Sequence, residues 1–321
     1  MADQVSVVIS TVKGGPRLVR CVEALVSQDP PPKEIIVALA VGLVEIPLGT
    51  RGVLPVRTPS HHAPTANAGI REANAEHVVV LNDDTCARPG FLAALLAAVQ
   101  TWGPGLYQPR ILLPDGRVDN MGHDLFPDGF NRARGRGCAN SAVFDKPRTV
   151  GAISGAAFLA SRALLDDIGL FDDAFEAFGE DADLSLRARR RGYPLRYVPD
   201  AVIEHELGAS YGRNGPAKIY RVERNRVRLA LRSLPLSSLA TMQAWTTVRW
   251  AAFLLGTLSA RGLAAEVPIL AGGAAALAGT VAGWAHAPEA LARRQADASA
   301  WRLGEWDMIR FLWDERVRSR L

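Results

Sequence analysis

Short β-branched or apolar runs alternate with helical patterns along the N-terminal third of the chain, and this alternation constrains the fold more than any other feature. Residues 5–9 (Val-Ser-Val-Val-Ile) read as a buried strand ending in Ser10-Thr11 and the turn-prone Gly14-Gly15-Pro16. Residues 18–28 then show helical spacing, with Leu18, Val22, Leu25 and Val26 on one face, until Pro30-Pro31-Pro32 stops the helix. Residues 34–39 and 53–56 read as further strands, 65–75 as a helix and 78–81 as a strand. Residues 89–100 are helical again, with Pro89 near the first turn, where its missing N–H costs little. Such a succession predicts βαβ units around a mostly parallel sheet. In sheets of that kind ligands bind beyond the carboxyl ends of the strands. The run Val78-Val79-Val80-Leu81 delivers Asn82-Asp83-Asp84 to one of those ends.

Between 103 and 150 the sequence turns to Gly, Pro, Asp and Arg, with a turn at Pro114-Asp115-Gly116 and a basic loop at 132–137. Residues 151–159 predict a strand leading into a helix at 161–168. Residues 180–191 predict a helix with an acidic first turn and a basic last turn, as the helix dipole favours, ended by Gly192. Strands at 197–198 and 202–203 lead to His205. Beyond about 235 the composition shifts to Ala, Leu, Gly and Trp, predicting two or three helices over 236–285. The chain is therefore read as an α/β domain over 1–234 followed by a helical region over 235–321. Residues 263–285 are long enough to span a bilayer, but Glu266, Pro268 and the many Ala and Gly favour a packed or interfacial helix. Trp301, Trp306 and Trp313 with Arg302, Arg310 and Arg316 suit either a helix docked on the domain or a peripheral membrane contact.

The formal charge is only +4, from 37 Lys and Arg against 33 Asp and Glu, which argues against nucleic acid as a partner. A local excess stands at Arg213, Lys218, Arg221, Arg224, Arg226, Arg228 and Arg232 against the single Glu223. It suits a phosphate group, an anionic surface or a solvated helix face. Cys21, Cys86 and Cys138 are too widely spaced for a paired-cysteine metal site, and a disulfide framework is not expected. With an N-terminus that enters a strand without a basic lead, this predicts a cytoplasmic protein, free or peripheral at the inner face of the membrane. No G-x-G-x-x-G follows the first strand, and Gly151-Ala-Ile-Ser-Gly155 is not a G-x-S-x-G elbow, so a dinucleotide oxidoreductase and a serine hydrolase are set aside.

Two acidic clusters and one histidine could carry chemistry. Asp83 and Asp84 repel each other unless a cation or donor groups compensate, and hard oxygens suit Mg²⁺ or Mn²⁺. The same residues also serve as a polar turn before a helix. Glu180, Asp181 and Asp183 crowd one helix start, where the dipole favours ionised carboxylates and one of them could act as a general base. Capping alone explains one acid there and not three. His205, after Val202-Ile203, reads by itself as structural; beside carboxylates of the same sheet it becomes a candidate metal or diphosphate contact.

Taken in order, Val5-Ser-Val-Val-Ile-Ser-Thr11, Cys21-Val-Glu-Ala-Leu25, Glu34-Ile-Ile-Val37, Asn67-Ala-Gly-Ile70 and Leu81-Asn-Asp-Asp-Thr85 resemble family 2 glycosyltransferases of the GT-A fold. The likeness continues at Gly155-Ala-Ala-Phe158, Gly169-Leu-Phe-Asp172, Gly179-Glu-Asp-Ala-Asp-Leu-Ser-Leu-Arg187 and Pro199-Asp-Ala-Val-Ile-Glu-His205, and it is greatest to the rhamnosyltransferase-like branch that builds bacterial cell-surface polysaccharides. The resemblance implies a nucleotide-diphospho-sugar transferase, Rossmann-like, with a mixed, mostly parallel sheet flanked by helices. It implies inverting transfer of rhamnose or another hexose from a dTDP-, UDP- or GDP-sugar to a glycan or lipid-linked acceptor. Under it Asp84, Asp83 and His205 hold Mg²⁺ or Mn²⁺, Asp181 is the general base with Glu180 beside it, and Thr11, Asn67, Asn82, Asp83, Arg221, Arg224 and Asn225 face the donor. The pattern departs at two places: Thr11 runs into Val12-Lys13 instead of a Thr-Tyr-Asn type motif, and Ala38-Leu-Ala-Val-Gly42 lacks the acid that usually recognises the base. A non-catalytic scaffold of the same likeness, with a degenerate donor site, that binds glycans or an assembly partner is the competing expectation.

Overall fold

The computed structural model describes residues 4–11, 14–40, 53–58, 62–206, 215–258 and 268–318. The chain forms two compact units, one of residues 1–124 and 133–210, the other of residues 125–132 and 211–321.

The first unit is built on a mixed sheet. Its N-terminal half comprises β1 (Val5–Thr11), α1 (Pro16–Val26), β2 (Glu34–Ala40), β3 (Val53–Thr58), α2 (His62–Glu72), β4 (His77–Asn82), β5 (Thr85–Ala87) and α3 (Phe91–Trp102). Then follow β6 (Leu106–Leu112), β7 (Val118–Asn120), the hairpin β8 (His123–Leu125) and β9 (Asn131–Ala133), whose residues 125–132 belong to the second unit, β10 (Arg148–Thr149), β11 (Ala157–Ser161), α4 (Arg162–Ile168), α5 (Glu180–Arg190) and β12 (Leu195–His205). The strands lie in the order β10-β12-β6-β11-β4-β1-β2-β3. The β1–β2, β1–β4, β2–β3 and β6–β12 pairs are parallel, and β11 runs antiparallel between β4 and β6.

Alternation along β1 explains the layers. Val7 and Ile9 face Leu18, Val22 and Leu25 of α1 and Phe91 and Leu95 of α3. Val8 faces the other side, with Ala66 and Ile70 of α2, Leu164 of α4 and Leu184 of α5. On α2, Gly69 lies so close to Val8 that an added Cβ would collide with its side chain.

Three expectations from the sequence change here. The region read as turns from 103 onward contains β6, hidden by Pro109 in mid-strand. The lost N–H falls where β12 slips register between Val198 and Val202, opposite Pro109 and Arg110, and this bulge merges the two short strands expected there into one. The strand foreseen over 151–159 begins only at Ala157, which leaves 151–156 as irregular backbone.

The second unit contains α6 (Pro216–Ser233), α7 (Leu236–Leu258), α8 (Ile269–Ala285), α9 (Ala287–Ala298) and α10 (Glu305–Arg318). Gly279 and Gly283 let α8 approach α6, because a Cβ at either would strike the Tyr220 or Arg224 carbonyl oxygen. The Ala- and Gly-rich composition is thus a close helix contact. Several bases of α6 are sealed by acids of the same unit: Arg226 with Glu223 at 2.9 Å, Arg228 with Glu289 at 3.0 Å and Arg232 with Asp297 at 2.9 Å. They are not the solvated face or open anion patch read from the sequence; Arg213 lies outside the described residues. Among the described residues no single helix is long and apolar enough to cross a membrane, and α8 with α9 reaches that length only across a 54° bend. Residues 263–267 of the predicted apolar stretch lie outside the described residues.

Candidate active site

The parallel register of β1 and β4 sets Ser10 beside Asn82, so both strands end at the same edge of the sheet. Thr11 and Asp83 meet there. The Thr11 hydroxyl donates to Asp83 Oδ2 and accepts a 2.8 Å hydrogen bond from Gly14 N. Burial pushes the Asp83 carboxyl up, against the hydrogen bond from Thr11. The next residue, Asp84, uses its backbone oxygen to accept Glu206 N at 2.9 Å, which ties the turn to the end of β12.

That tie brings His205 to Asp84. His205 Nε2 stands 3.2 Å from Asp84 Oδ1, and His205 Nδ1 stands 2.8 Å from Asp119 Oδ2 on β7. Arg136 flanks Asp119 at 2.8 Å. Burial alone would lower the imidazole pKa, but the two carboxylates overcome it and hold His205 at about 9. Burial works against ionising Asp119, yet His205 and Arg136 keep it below the usual carboxylate range.

The second acidic cluster reaches the same edge through β11. Asn82 N donates to Ala156 O at 3.0 Å, and one residue earlier Gly155 N donates to Asp181 Oδ2 at 2.8 Å. Ala182 N donates to Asp181 Oδ1 at 2.7 Å, so both carboxylate oxygens are oriented by backbone amides. The loop before α5 is held by α2: Ala63 N donates to Glu176 O at 3.1 Å, and Asn67 donates to Phe171 O and Asp173 Oδ1. His62, first residue of α2, lies 3.7 Å from Glu180 Oε1 and 3.3 Å from Ser10 Oγ. Its ring is lowered by burial, against the charges of Asp181 and Asp84. His62 therefore sits in the field of both acidic clusters.

The three acids of α5 have separate tasks. Asp183 is fully buried and bonded to Arg187 at 2.8 Å, a structural pair. Glu180 departs from the expectation that the helix dipole keeps all three ionised: burial, and then the charge of Asp181, pushes its carboxyl well up. Among the described residues, Asp181 is the acid held by backbone donors alone. Of the candidate donor contacts, Thr11 and Asp83 are bonded to each other and Asn67 has its amide committed to the 171–173 backbone and Asp173. Arg221, Arg224 and Asn225 stand on α6 of the second unit. The sequence reading missed Asp119, His62 and His123; a run as rich in titratable groups as Asp119-Asn-Met-Gly-His-Asp124 was the available signal.

A divalent cation was implied for Asp84, Asp83 and His205. Asn82 Oδ1 is buried without a hydrogen-bond partner, Asp84 Oδ1 faces His205 Nε2 at 3.2 Å, and His205 is backed by a carboxylate, as histidine ligands commonly are. Asp83 Oδ2 is taken by Thr11. Among the described residues no group of three or more His, Cys, Asp or Glu is arranged to hold a metal ion. Asp84 and His205 thus offer two ligands, and an ion held there would have to take its remaining ligands from substrate oxygens, as Mg²⁺ commonly does.

The strand edge, the clustered acids and the helix-flanked sheet agree with the family comparison, in which residues 2–229 match the model of glycosyltransferase like family 2. The chain belongs to that family. A 150-residue stretch of this family 2 chain is 30% identical to the N-acetylglucosaminyl-diphospho-decaprenol L-rhamnosyltransferase of Mycobacterium tuberculosis, covering 43% of this chain and 49% of the relative. The pre-mycofactocin glycosyltransferase of the same species is 27% identical over 151 residues, 46% of this chain and 31% of the relative. The match thus spans about half the length of the first relative and less of the second. Among solved structures, GalNAc-T7 with UDP, GalNAc and Mn²⁺ aligns with a TM-score of 0.59 at 15% identity, covering 74% of this chain and 49% of that one. At that identity it establishes the fold of this family 2 chain: a mixed, mostly parallel GT-A sheet flanked by helices.

Proposed function

We propose that this chain transfers a sugar, rhamnose or another hexose, from a nucleoside diphosphate to a hydroxyl of a glycan or lipid-linked acceptor, with inversion at the anomeric carbon. The observation that carries the reading is the short bonded path Asp181–Gly155–Ala156–Asn82, which links the candidate base to the turn bearing Asp84. The names of the mycobacterial relatives support a sugar-transfer role, and the rhamnosyltransferase supports a lipid-linked diphosphate acceptor. The UDP and Mn²⁺ of GalNAc-T7 support a nucleotide donor and a divalent ion.

Asp181 accepts the proton of the attacking hydroxyl. Its two backbone hydrogen bonds leave one lone pair on each oxygen and fix the carboxylate plane, which is the positioning a general base needs. Asp84 and His205 would hold Mg²⁺ or Mn²⁺, which would supply charge neutralisation to the diphosphate. Asp119 orients His205 through Nδ1. His62, between Ser10 and Glu180, links the wall of the donor side to that of the base side.

A non-catalytic, glycan-binding scaffold is favoured by one observation: the His205 ring itself lies between Asp84 at 3.2 Å and Asp119 at 2.8 Å. Thermal unfolding of the full chain with dTDP-, UDP- and GDP-sugars, with and without Mn²⁺, separates the two. A donor at 100 times its Kd adds about 2.7 kcal/mol of stability. The transfer reading expects a Mn²⁺-dependent rise in Tm with at least one donor, abolished in Asp84→Ala. No rise with any donor, or a rise indifferent to both Mn²⁺ and Asp84, sinks it.

A further inference from the structure

His123 has no part in the scheme above, yet its surroundings dictate its state. Gly122 precedes it with φ 92 and packs so tightly on Val150 that a Cβ would collide there. His123 N donates to Ala152 O at 2.7 Å and Ala152 N donates back at 3.2 Å. Three residues on, Gly155 N holds Asp181 at 2.8 Å. The backbone of His123 and the carboxylate of Asp181 are therefore clamped to one short segment, 152–155.

The ring is fixed as firmly. Gly122 N donates to Asn120 Oδ1 at 2.8 Å, which settles the orientation of that amide and turns its Nδ2 towards His123 Nε2 at 2.8 Å. An amide nitrogen only donates, so Nε2 accepts and the ring hydrogen resides on Nδ1. Burial holds the imidazole below its usual pKa, and Asp181 is the strongest charge opposing that shift. Nδ1 is buried and has no hydrogen-bond partner. A neutral ring thus presents an unmet N–H within the field of the candidate base. Buried donors left unmatched in a folded protein are uncommon and call for a partner.

We propose that His123 is a substrate-binding residue: its Nδ1–H donates to a saccharide oxygen of the acceptor next to the hydroxyl that Asp181 deprotonates. It thereby selects acceptors carrying an oxygen at the adjacent carbon and orients them for attack. This rests on the transfer reading. Initial rates of the full chain with Mn²⁺, whichever dTDP-, UDP- or GDP-sugar raises its Tm, and a panel of alkyl glycosides test it. His123→Ala should raise the acceptor KM about 10-fold or more, the discrimination of roughly 1.4 kcal/mol expected for one lost hydrogen bond, with donor KM unchanged. His123→Asn, which returns an N–H near the δ position, should recover much of the loss. An acceptor deoxygenated at the adjacent carbon should be equally poor for wild type and His123→Ala. Wild type that transfers to no acceptor overturns the transfer reading and this inference with it. Active wild type with His123→Ala at the same acceptor KM overturns this inference alone, as does a loss in both variants that falls on donor and acceptor alike.

Discussion

Asp128 and Glu223 in the second unit and Asp84 and Glu180 in the first are all buried, but their surroundings differ. Asp128 and Glu223 are enclosed by guanidinium groups: Arg249 lies 3.0 Å from Asp128 and 2.8 Å from Glu223, and Arg226 lies 2.9 Å from Glu223 and donates to the Asp128 backbone at 2.8 Å. Burial tends to lower the Arg249 pKa, and these acids more than reverse it. At the strand edge of the first unit, Asp84 Oδ1 faces the ring of His205 at 3.2 Å and one oxygen of Glu180 receives no hydrogen bond. The groups near them are histidines, whose charge can be given up, and not arginines, whose charge cannot. Full neutralisation marks acids that hold helices together. Acids backed by exchangeable partners mark a place built for something that arrives later.

The strongest challenge to this contrast is Asp181→Asn. Initial rates should fall about 10²- to 10⁴-fold, the usual contribution of a positioned base, while Mn²⁺-dependent donor binding persists. Equal rates for variant and wild type would move Asp181 to the structural side. Next comes Asp128→Ala, which leaves Arg249 and Arg226 without one of their acids. Breaking a buried ion pair from one side costs about 3–5 kcal/mol, to be read as a lowered urea midpoint; an unchanged midpoint would show that the arginine enclosure is not structural. The smallest effect is expected for Glu180→Gln. Because the folded protein raises the Glu180 pKa, its carboxyl adds stability below the unfolded value near 4.5 and loses it as pH climbs towards the folded value. The glutamine variant should therefore match wild type in acid and unfold at progressively higher temperature than wild type as the pH is raised. Melting curves across that range that stay parallel, or a variant less stable near neutrality, would place Glu180 among the ionised acids.

The N-terminal half of the sheet was legible because its strands are apolar runs separated by Pro, Gly and amphipathic helices, and Asp84, Asp181 and His205 each follow or open such an element. The elements between 103 and 150 were not, for physical reasons. Pro109 disguises β6, and β7 carries Asp119 on a strand of only three residues, too short for any periodicity to register. His123 and His62 acquire meaning only from partners remote in sequence, Ala152 for one and Glu180 for the other. Asn67 shows the reverse: a motif residue recognisable in sequence, whose amide is spent on the 171–173 loop. The charge on α6 was equally visible, but its neutralisation by Glu289 and Asp297 required the fold.

The insertion of antiparallel β11 between β4 and β6 has a kinetic and thermodynamic consequence. The edge that carries Asp84 and His205, with Asp181 tied to the neighbouring Gly155, forms only after strands distant along the polypeptide have found one another. A ligand bridging those side chains should slow amide hydrogen exchange in β1, β4, β11 and β12 together, as one cooperative block, rather than in the neighbouring loops alone.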